Sequence, residues 1–95
     1  MDLCNIDTIR RLLAKHGFRF SKSLGQNFLT ASWVPKRIAQ CCGAGPADGV
    51  LEVGPGIGCL TAELSGVCGK VVSIEIDRAL FPVLSETLQS AGNAE

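Results

Sequence analysis

A length of 95 residues suits one small domain, and a hydrophobic share of 46% is ordinary for a globular protein. No apolar run approaches the roughly 20 residues that span a bilayer, and the mixed charges from Met1 to Arg11 do not resemble a signal peptide, so cytoplasmic residence with no membrane partner is expected. Zero net charge conceals a division, because up to Arg37 seven basic residues stand against two acidic ones, while beyond it two basic stand against seven acidic. A basic front half suits a polyanion or simply a solvated helix face. Five cysteines, odd in number and without a C-x-x-C pair, argue against a disulfide framework or a zinc site. Reduced, mostly buried thiols and no metal are expected.

In chain order, Asn5 or Asp7 can cap a first helix whose Ile6, Ile9, Leu12 and Leu13 follow the helical period, with Gly17 past its end. Arg10, Arg11 and Lys15 fall largely off that stripe, and the lone His16 sits where it would complement the helix dipole. Phe18 to Leu29 has no convincing period and reads as an ordered loop, its phenylalanines anchoring it so that the amides of Gln26 and Asn27 are held in place. Thr30 or Ser32 starts a second helix, Pro35 is tolerable only in its first turn, and Gly43 to Pro46 ends it. Val50 to Val53 suits a short interior strand, followed by a glycine turn and a short helix carrying Leu60 and Leu64. Gly66 to Gly69 closes that helix, and Val71 to Ile76 reads as a second strand, completing a βαβ unit with a parallel pair. Asp77 can cap a last helix with Leu80, Val83, Leu84 and Leu88 on one side, its start delayed or kinked by Pro82.

The turn Gly54-Pro55-Gly56-Ile57-Gly58 lets backbone approach a ligand with no Cβ in the way. The dinucleotide fingerprint G-x-G-x-x-G would need glycine at position 59, where Cys59 stands. Glu52, two residues before the first glycine, would repel a pyrophosphate and could orient a cationic amino group. Glu75, at the end of the second strand, is placed to accept hydrogen bonds from ribose hydroxyls. An ammonium group and a ribose diol without phosphate describe S-adenosyl-L-methionine better than NAD.

Lys22-Ser23-Leu24-Gly25-Gln26-Asn27-Phe28-Leu29, then Glu52 to Gly58, then Ile74-Glu75-Ile76-Asp77, resemble the ribosomal RNA adenine N6,N6-dimethyltransferase family, in its housekeeping bacterial branch. The resemblance implies an α/β chain with a partial Rossmann-like S-adenosylmethionine-dependent methyltransferase fold. Residues 1–49 would supply N-terminal helices and the cofactor-closing segment, and residues 50–95 the first βαβα unit of a parallel sheet. It also implies that Gln26, Asn27 and Leu29 close over the methionine end of the cofactor, that the backbone of Gly54, Gly56 and Gly58 cradles it, and that Glu75 binds ribose. The implied activity is dimethylation of two adjacent adenines near the 3′ end of small-subunit ribosomal RNA, each adenine leaving its stack to react.

The family grips the target nitrogen with an Asn-Leu/Ile-Pro-aromatic motif after its fourth strand, and no such motif occurs in these 95 residues. An N-terminal part that is inactive alone, and that self-associates through bare strand edges, is therefore expected. Arg10, Arg11, Lys15 and Lys22 are the candidate contacts to the RNA or the ribosomal subunit. Two other classes compete: a noncatalytic RNA-binding or ribosome-assembly module, favoured by the basic front half, and an NAD-binding oxidoreductase fragment, disfavoured by Cys59 and Glu52.

Overall fold

The computed structural model describes residues 2–18 and 33–95. Helix α1 runs Ile6–Lys15, α2 Trp33–Cys41 and α3 Cys59–Ser65, while strands β1 and β2 run Gly49–Val53 and Lys70–Ile74. A 3-10 turn, Arg78–Leu80, leads into α4, Phe81–Thr87. Asn5 caps α1, its side-chain oxygen accepting from the amides of Asp7 at 2.9 Å and Thr8 at 3.2 Å, which satisfies two of the donors that a helix start leaves open. Gly17, at φ 80°, turns the chain away after α1. Pro82 falls in the first turn of α4, where its missing N–H costs nothing, and the 3-10 turn capped by Asp77 fills the gap before it. That is the delay expected of this proline.

β1 and β2 pair in parallel, Val50 opposite Val71 and Val53 opposite Ile74. Beyond β2, the tail adds a parallel bridge from Ala94 to Val71, with the Ser73 amide donating to the Glu95 carbonyl at 2.7 Å. Asn93 Nδ2 pins this tail to the end of α3, donating to the carbonyls of Ser65 at 3.0 Å and Cys68 at 3.1 Å. β2 stops at Ile74, two residues short of the strand expected from its β-branched run, with a bend at Ile76 and the Glu75 side chain accepting from the Gly56 amide.

Apolar side chains gather in two clusters. Ala39, Leu64, Cys68 and Val71 pack with Val50 and Leu60 between the sheet and helices α2 and α3. Leu3, Ile9, Leu12 and Leu13 pack with Ile57 and Val83, which ties α1 to the glycine loop and to α4. The opposite sheet face carries Leu51, Val53, Val72 and Ile74, all exposed in this 95-residue chain. The thiols also divide differently from expectation: Cys4 and Cys68 are buried and Cys59 is half-buried, but Cys41 and Cys42 are exposed.

A second tie between α1 and α4 is electrostatic. Glu86 Oε1 lies 2.8 Å from Lys15 Nζ and 3.1 Å from His16 Nε2. Hydrogen bonds from Lys15 and then His16 hold the Glu86 carboxyl below its ordinary range. A depressed carboxylate stabilises the fold above its unfolded pKa and loses that contribution as pH falls through the folded value. Wild type should therefore melt slightly above Glu86→Gln at neutral pH, and the gap should narrow as pH falls below the ordinary glutamate value of about 4.3 and close once the carboxyl is protonated in the folded state as well. Thermal melts at neutral and at acid pH test this, and a gap that survives in acid would reject it.

Candidate cofactor site

The site is built where β1 ends. Gly54, Gly56 and Gly58 all take positive φ, at 73°, 59° and 93°, a region costly for residues with a Cβ. A Cβ built on Gly54 would meet nothing within 4 Å among the described residues. One built on Gly58 would lie 2.9 Å from Thr87 Oγ1 and 3.1 Å from Leu88 Cδ2. Gly58 is thus required by the packing of α4 as well as by its conformation. Gly58→Ala should cost about 1–3 kcal/mol, and Gly54→Ala about 1 kcal/mol of backbone strain alone. Melting temperatures that fall equally would refute this division between a packing glycine and an open one.

Parallel pairing brings Glu75 beside the same loop. Its Oε1 accepts from the Gly56 amide at 3.4 Å and its Oε2 from the Asp77 amide at 3.1 Å, which steadies a half-buried carboxylate over the glycines. An open cavity of about 550 Å³ lies alongside, bounded by Pro55 and Glu75 and walled by Ile74, Phe81 and Leu88.

Glu52 is 8% exposed and faces inward from β1. Thr61 Oγ1 and Ser73 Oγ, the latter at 2.9 Å, both donate to its Oε1. A buried carboxylate needs such donors, and here they come from α3 and β2, so Glu52 joins three elements at the root of the loop. Thr61 and Ser73 were not singled out from sequence. A hydroxyl on α3 and one on β2 are ordinary until the register Glu52 opposite Ser73 is known.

Arg10, Arg11 and Lys15 lie on the exposed side of α1, and Lys15 is engaged by Glu86. Lys22, Gln26, Asn27 and Leu29 lie outside the described residues. Among the described residues no cluster of three or more histidine, cysteine or carboxylate groups could hold a metal, and no helix is long and apolar enough to cross a membrane.

A parallel βαβ unit with a glycine loop after its first strand and a carboxylate at the end of its second is the cofactor-binding part of a Rossmann-like fold. Among solved structures, the crystal structure of the 23S rRNA methyltransferase ErmE matches this architecture with a TM-score of 0.68 and 42% sequence identity, over 73% of this chain and 28% of that one. The family model for ribosomal RNA adenine dimethylase matches residues 17–95, and the chain belongs to that family, as the Lys22–Leu29 and glycine-loop motifs led us to expect. Ribosomal RNA small subunit methyltransferase A of Pelotomaculum thermopropionicum is 45% identical over 87 residues, 92% of this chain and 30% of that protein. The protein of the same name in Clostridioides difficile is 44% identical over 93 residues, 98% of this chain and 32% of that protein. The chain spans about a third of the length of these curated relatives.

Proposed function

We propose that this chain is the S-adenosyl-L-methionine-binding part of an enzyme that dimethylates the N6 atoms of two adjacent adenines near the 3′ end of small-subunit ribosomal RNA. The observation that carries the reading is the Glu75 carboxylate held over the glycine loop, 3.4 Å from the Gly56 amide, beside an open cavity. When bound, the cofactor supplies an electrophilic methyl group. Glu75 accepts from the ribose hydroxyls, the backbone of Gly54, Gly56 and Gly58 lies against the methionine portion, and the apolar wall of the cavity suits a purine. Glu52 adds a negative charge near the ammonium group through the oxygen that Thr61 and Ser73 leave unused. Gln26, Asn27 and Leu29 are assigned to closing the cofactor in. Transfer to adenine requires residues outside these 95, since the motif that would hold the target nitrogen is not among them. Arg10, Arg11, Lys15 and Lys22 are assigned to RNA phosphates, and the β1 edge, unpaired among the described residues, to self-association, which sedimentation at rising concentration would reveal.

Removing the carboxylate tests the reading. Glu75→Ala should weaken S-adenosylmethionine binding by about tenfold to a hundredfold, the loss of hydrogen bonds to a charged acceptor. Its melting temperature should stay near that of wild type. Equal affinity in the two proteins would overturn the assignment.

A further inference from the structure

The two cysteines nearest the loop belong to segments far apart in the chain. Cys4 precedes α1, and Cys59 is the first residue of α3, directly after Gly58. Their sulfurs lie 3.0 Å apart. Both are thiols, and about 1 Å of further approach would reach the length of a disulfide. Cys4 is buried and Cys59 half-buried, and both border an open cavity of about 330 Å³ lined also by Asp2, Pro35, Lys36 and Glu63, through which the pair can be reached. We propose that Cys4 and Cys59 are a site of reversible oxidation, closing a disulfide that fastens the N-terminal segment to the glycine loop.

The chemistry balances with a disulfide oxidant such as oxidised glutathione. One protein thiolate attacks a sulfur of the oxidant and expels a glutathione thiolate, and the second protein thiolate then displaces the other glutathione. The oxidant's S–S bond breaks, the Cys4–Cys59 bond forms, two electrons pass to the oxidant, and the two thiol protons end on the two glutathiones. Burial, the hydrogen bond with Cys4 and the nearby charges of Glu63 and Asp2 push the Cys59 thiol up to about 12. Cys59 is therefore protonated at neutral pH, which slows its step in closure. The crosslink joins positions 55 residues apart, and a loop of that size strongly restricts the unfolded chain.

The test uses the full chain carrying Cys41→Ser and Cys42→Ser, so that the exposed thiols do not intervene. After incubation with oxidised glutathione at mildly alkaline pH, free thiols are alkylated and the protein is digested without reductant. The expected product is a Cys4 peptide joined to a Cys59 peptide, lost on dithiothreitol treatment and absent from a Cys4→Ser variant. Its formation should raise the unfolding midpoint by on the order of 10 °C. Cys4 and Cys59 both recovered alkylated, a Cys59 crosslink to Cys68 instead, or a crosslink that leaves the midpoint unchanged would each overturn the proposal.

Discussion

Leu13→Ala should destabilise the chain by about 2–5 kcal/mol, the cost of emptying a well-packed leucine site. Leu13 has no exposed surface and packs in the cluster that holds Ile9 and Leu12 of α1, Ile57 of the glycine loop and Val83 of α4. Small domains have only about 5–15 kcal/mol in total, so this single change removes a large share. Because Ile57 lies between Gly56 and Gly58 and is 1% exposed, the same cavity should loosen the loop and weaken cofactor binding in the protein that remains folded. Leu51 is the matched control, since it is 65% exposed on the bare sheet face, and Leu51→Ala should change stability by less than about 1 kcal/mol. Urea unfolding midpoints decide the matter. Equal losses for the two leucines would show that α1 is not the support of the loop.

Glu52 should separate folding from binding when replaced in two ways. In Glu52→Ala the hydroxyls of Thr61 and Ser73 lose their common acceptor, and Thr61 has no exposed surface from which to reach water. Stranding a buried donor, together with the space left by the side chain, should cost about 2–4 kcal/mol. Glu52→Gln keeps an oxygen in the same place and should cost about 1 kcal/mol. The amide carries no charge, however, so Glu52→Gln should still bind S-adenosylmethionine more weakly, by about tenfold. Calorimetric titration alongside thermal melts separates these effects. A glutamine variant that binds as wild type does would reduce Glu52 to a structural residue.

Much of the site was legible because its signals are local. The positive φ at Gly54, Gly56 and Gly58 follows from glycines placed between an apolar strand and a helix, and the place of Glu75 follows from the length of a βαβ unit. Asp77 reads as a cap from its neighbours alone, and of the two cap candidates Asn5 and Asp7 the structure uses Asn5. What remained hidden depends on contacts distant in sequence. The acceptor role of Glu52 needs the register that sets it opposite Ser73, and the meeting of Cys4 with Cys59 needs α1 docked against the loop. His16 at a helix end suggested a dipole partner, but its ring also reaches Glu86 on α4, seventy residues away.

The central claim is that the glycine loop and Glu75 form an S-adenosylmethionine site. A nitrogen–proton correlation titration of the intact chain addresses it residue by residue and detects weak binding. The account predicts that S-adenosylmethionine shifts the amide signals of Gly54, Gly56, Gly58 and Glu75 in a saturable way, while NAD at the same concentrations leaves them in place. Shifts of these amides with NAD and none with S-adenosylmethionine would contradict it.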